Sequence, residues 1–155
     1  MGLLEPHVGY GCGHGQTDLS NRRNLNPSGS WPRANFPMNH GVLEPSGRRL
    51  HITGQVAWDE AGAVVHPGDA GAQTRHVMTC IARIIEAAGG TLNDLVSITT
   101  YYVDQADYAA ITDARREALS GTDGPATTGI RIAGLVDPAL LVEISGIAVV
   151  PDHPG

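Results

Sequence analysis

A chain of 155 residues with 41% hydrophobic and 17% charged residues has the size and balance of one globular domain able to bury a single core. Its formal net charge of −6 supplies no basic field, and no Lys/Arg cluster exceeds the pairs Arg22-Arg23, Arg48-Arg49 and Arg115-Arg116, so nucleic acid is not an expected partner. The chain has no run of about 18 apolar residues, and residues 1–15 lack the basic and apolar regions of a leader, so no membrane partner is expected and a cytoplasmic address is the default.

Residues 1–35 are rich in Gly, Asn, Pro and Ser without a helical or strand period, and read as an N-terminal arm. Gly2 invites myristoylation, but Pro6 stands where that signal needs Ser or Thr. His7, Cys12 and His14 lack a fourth ligand and the spacing of a zinc module, so no metal is expected. Gly9, Gly11, Gly13 and Gly15 neither follow a strand nor open a helix, as a dinucleotide loop must. The expected domain spans residues 36–151, and 152–155 form a tail.

Val42 to Leu43 and Arg49 to Thr53 are short strand candidates, joined by Glu44-Pro45-Ser46-Gly47 in a set that suits a hairpin. Asp69 can cap a helix running to about Ala88, because Val77, Ile81, Ile84, Ile85 and Ala88 form one stripe and Gly89-Gly90 stops it. Cys80, beside Ile81, reads as a small buried hydrophobe. Leu95 to Val103 is rich in Thr, Tyr, Val and Ile and reads as a strand half-buried on both faces. Asp104 opens a second helix with Tyr108, Ile111, Leu119 and the stem of Arg115 inward, and Ser120-Gly121 ends it.

Further on, Ile130 and Ile132 alternate with Thr127, Gly129 and Arg131 in a strand pattern, and Leu141 to Val150 makes the final strand. The break at Val136-Asp137-Pro138 suggests that these two strands are antiparallel neighbours. The order β β α β α β β is α+β. Two helices cannot cover both faces of such a sheet, so an oligomer is expected to cover the other.

Thr53-Gly54-Gln55, Gln73-Thr74-Arg75, Glu86-Ala87-Ala88-Gly89, the segment from Asp94 to Val103, Pro125-Ala126, Val142-Glu143-Ile144 and Ile147-Ala148-Val149 resemble the Rid (YjgF-like) family in order and spacing. The resemblance implies a chorismate-mutase-like mixed sheet with two helices on one face, in a homotrimer with a central barrel and three inter-subunit clefts. It also implies cofactor-independent hydrolysis of a small imine or enamine ligand, such as 2-aminoacrylate, to a keto acid and ammonia. Carried over by resemblance, the water-positioning Glu is Glu143, and the cleft Ser is Thr53, beside Gly54. The family's carboxylate-binding Arg falls on Thr127, its Tyr on Met38 and its Asn on Thr112. A threonine hydroxyl cannot replace a bidentate guanidinium, so a simple 2-imino acid is not the expected substrate.

Glu143 shares its strand face with Ser145, Ile147 and Val149, a setting suited to a general acid or base. Gly129 lies on the face of Thr127, His51 on that of Thr53, and His40 near the mapped cleft mouth, which adds all three to the candidate site. Arg131 lies too far along the strand to stand in for the missing arginine. Three functions remain in view: an imine or enamine hydrolase, a metabolite-binding or regulatory trimer, and a ribonuclease, the last disfavoured by the acidic balance.

Overall fold

The computed structural model describes residues 21–33 and 38–152, built on a four-stranded sheet with two helices against one face. Helix α1 (Ala70–Ala87) starts where Asp69 accepts a hydrogen bond from the Ala72 amide at 2.9 Å. It ends at Gly89, whose φ of 86° lets its amide and that of Gly90 reach the last carbonyls. Its stripe buries Val77, Met78, Ile81 and Ile85 against the sheet. Cys80 is only half-buried, on the flank of that stripe rather than within it.

Strand β3 (Arg48–Gln55) pairs antiparallel with β6 (Val142–Val150), and β6 pairs antiparallel with β4 (Leu95–Tyr102). Strand β5 (Ala126–Arg131) runs parallel to β4 and does not touch β6, contrary to the antiparallel pairing expected from sequence. Helix α2 (Tyr108–Ala118) is the reason: it carries the chain from the end of β4 back to its start, and such a crossover returns a parallel strand. A one-turn 3₁₀ segment capped by Asp104 precedes α2, whose inner side buries Ile111, Ala114, Arg115 and Leu119.

The expected hairpin also fails. Strand β2 (Gly41–Leu43) pairs with β1 (Arg23–Leu25) in a separate two-stranded sheet, not with β3. Strand β1 was hidden because Arg23-Asn24-Leu25 is too short to display a period. The metal-ligand candidates His7, Cys12 and His14, the glycine run and Gly2 lie outside the described residues. Among the described residues no helix is long and apolar enough to cross a membrane, and no group of three or more His, Cys, Asp or Glu side chains could hold a metal.

Polar side chains hold the N-terminal segment to the domain. Arg22 donates to the carbonyls of Asn93 and Leu95 at 2.7 Å each and to that of Gly124. Burial pushes its pKa below the ordinary value, against the opposing pull of Asp123 and Asp94. Asn39, buried, donates through Nδ2 to the carbonyls of Asp123 and Gly124 at 2.8 Å each, while its Oδ1 accepts from Asn26. Its amide reaches the Pro125 carbonyl at 3.1 Å.

Asn39→Ala removes the hydrogen bonds its side chain makes to the Asp123 and Gly124 carbonyls and to Asn26, and should cost about 1–3 kcal/mol, read as a lowered unfolding midpoint in urea. An unchanged midpoint would show that the clamp adds nothing. Asp69→Ala removes only a helix cap and should cost about 1 kcal/mol, measured in the same way.

Candidate functional site

Antiparallel partners share a sheet face, so the register sorts the candidate residues. Glu143 pairs with Tyr101, itself beside Ile130, whereas Ile144 pairs with Thr100, beside Gly129. Ile144 and Thr100 are fully buried on the helix side. Glu143 therefore projects from the opposite face, with Thr99, Tyr101, Ser145 and Ile147, on which neither of the two described helices packs.

Strand β3 meets this face through a bulge. Ile52 pairs with Gly146 but Gln55 with Ile144, so Thr53 and Gly54 contain one extra residue. The bulge turns Gly54 toward Glu143: a Cβ built on Gly54 would stand 2.7 Å from the Glu143 carboxyl carbon and touch its Oε1. Only glycine leaves that carboxylate its place. Thr53 and His51 are exposed on the same strand.

The other candidates gather on the helix side. Met38, Thr112, Thr127 and Gly129 line one cavity of about 460 Å³, together with Trp31, Pro32, Arg33, Tyr108, Arg115 and Arg116. Met38 reaches Thr127 because Asn39 is stitched to the turn that opens β5. The Oγ1 atoms of Thr112 and Thr127 are buried without a hydrogen-bond partner among the described residues. Buried hydroxyls in that condition are costly. His40 does not line the cavity; its ring packs edge-on to Trp31 with centroids 4.5 Å apart, and its Nε2 lies 2.9 Å from the Trp31 carbonyl.

Within the chain the candidates thus fall into two halves: Met38, Thr112, Thr127 and Gly129 on one side, Glu143, Gly54, Thr53 and His51 on the other.

Arginine is the residue type that the sequence reading undervalued. Arg115 is 1% exposed, so its head as well as its stem is inside, where Nη1 donates to Thr100 Oγ1 at 2.8 Å. Burial holds its pKa below the ordinary value, opposed by interaction with Tyr108. A charge in the apolar stripe of α2 was the available signal. Arg33 donates to the Met38 carbonyl at 2.7 Å, and Arg116 pairs with Asp113. No acidic residue is among the described residues lining the cavity. Arg131 is exposed and donates to the Val103 carbonyl.

Residues 29–150 match the family model described as Endoribonuclease L-PSP. A Rid-family protein from Yersinia pestis, YyfB, is 38% identical over 84% of this chain and 99% of its own, with a TM-score of 0.78. RidA from the Antarctic bacterium Psychrobacter is 28% identical over 87% of this chain and 97% of its own, with a TM-score of 0.61. A YjgF/YER057c/UK114 family member from Mycobacterium tuberculosis is 26% identical over 84% and 100%, with a TM-score of 0.57. Sequence motifs, sheet order and these likenesses agree that the chain belongs to the Rid (YjgF-like) family.

Proposed function

We propose that this protein is a cofactor-independent hydrolase of a small imine or enamine, working at clefts between subunits of a cytoplasmic homotrimer. The observation that carries the reading is the division of the site: a carboxylate seated over a bulged glycine on one face, and a ligand-sized cavity on the other. One chain cannot apply both to one molecule. Packing the open face of one protomer beside the cavity of the next would join them and would cover Tyr101, Ile147 and Ile130, the last of which is 40% exposed.

In this reading Glu143 takes a proton from water as the oxygen adds to the imine carbon, and that proton passes to nitrogen. As the carbinolamine collapses, its O–H proton is transferred to the departing nitrogen and the C–N bond breaks, leaving a carbonyl and ammonia, so no oxidant or cofactor is needed. Thr53, Thr112 and Thr127 supply hydroxyl contacts, and Met38 an apolar wall. His51 and His40 flank the two halves.

A binding trimer without turnover is the second reading, favoured by the lack of a carboxylate among the described cavity residues. Ribonuclease activity, the family model's label, is opposed by the net charge of −6.

Glu143→Gln should lower imine-dependent ammonia release by at least about 100-fold while the unfolding temperature stays within about 2 °C. Turnover equal to the parent's removes the carboxylate from the reaction. Light scattering at micromolar concentration should give three times the 16.2 kDa chain mass. A monodisperse monomer sinks the shared-cleft reading.

A further inference from the structure

Trp31 is 60% exposed, yet it is not left to wander. The His40 ring braces it edge-on and His40 Nε2 reaches its carbonyl, while the His40 amide donates to Asn26 Oδ1 at 3.0 Å. Asn26 is in turn bonded to buried Asn39, which is fixed to the 123–125 turn. An indole held in place with its apolar surface facing out is an arrangement that folding alone does not explain, and such anchored aromatics are characteristic of binding sites. Here the indole forms one wall of the cavity, with Pro32 and Met38 continuing the apolar surface.

The same cavity is also lined by guanidinium groups and hydroxyls. Arg33, Arg115 and Arg116 all line it, as do Thr112 and Thr127, whose Oγ1 atoms are buried without a partner among the described residues. Arg33 comes from the same three-residue run as Trp31, so residues 31–33 carry both an apolar and a cationic element.

The geometry points to Trp31 and Arg33 as specificity residues for a ligand that joins a planar apolar group, laid on the indole, to a carboxylate held among the guanidinium groups. This ligand is bulkier than a bare two- or three-carbon imino acid; about 460 Å³ gives a phenyl-sized group room. The inference rests on reading this cavity as the ligand site, but requires binding only, not turnover.

The chain has two tryptophans, so the assembled full-length protein with Trp58→Phe reports on Trp31 alone. Its fluorescence is titrated with 3-phenylpropionate, propionate, 3-phenylpropanamide and inorganic phosphate. We expect 3-phenylpropionate to bind at least about ten-fold more tightly than each of the other three. Binding is followed by calorimetry for the variants at 31. Trp31→Ala should abolish the preference for phenylpropionate over propionate, and Trp31→Phe should keep most of it. Arg33→Gln should reduce the preference for acid over amide about three-fold or more.

Equal binding of the phenyl and plain acids, of acid and amide, or of phosphate and phenylpropionate overturns the assignment. So does an undiminished phenyl preference in a folded Trp31→Ala protein. Titrating Glu143→Gln separates the two readings. Intact probe selectivity with unchanged turnover discards the catalytic carboxylate and keeps the specificity residues, whereas absent selectivity with turnover lost does the reverse.

Discussion

A sheet with helices on only one side has two unlike faces, and the candidate site divides along that plane. Strand residues alternate, so neighbours in sequence meet opposite environments. Ile144 closes the core against the helices while Glu143, one residue earlier, projects from the open side. The same alternation sends Thr127 and Gly129 toward α2, and Thr128 and Ile130 away from it. The bulge in β3 breaks the rule at one point. By inserting a residue it turns Gly54 onto the Glu143 side, where the missing Cβ makes room for a carboxylate.

Order in the N-terminal segment has a different origin. Residues 21–33 include almost no buried apolar side chains, and hydrogen bonds to backbone carbonyls take the place of a core. Arg22 and Asn39 satisfy acceptors at 93, 95, 123 and 124 that would otherwise be costly to hide. One set of contacts therefore fixes three things: the turn into β5, the position of Met38, and the frame that braces Trp31. The same carbonyls therefore anchor both the fold and the walls of the cavity.

The cavity is rich in cationic groups although the family's arginine position holds threonine by resemblance. Arg115 accepts the desolvation that goes with a buried guanidinium, offset by its bond to Thr100 and its interaction with Tyr108. The guanidinium groups of the cavity come from α2 and from the N-terminal segment rather than from β5.

Helix α1 was legible in the chain itself because its cap, its stripe and its glycine stop all act within a few residues. The alternation of β5 and β6 was legible for the same reason, and the motif set identified the family. Strand partners were not. Nearness in sequence suggested pairing β2 with β3 and β5 with β6, but pairing depends on where crossovers and clamps deliver each edge. Likewise Met38, Thr112, Thr127 and Glu143 could be named from motifs, whereas their separation onto two faces could not. Local pattern decides which residues form an element and which way each side chain points. Only long-range hydrogen bonding and packing decide which elements meet, and so which side chains share a cavity.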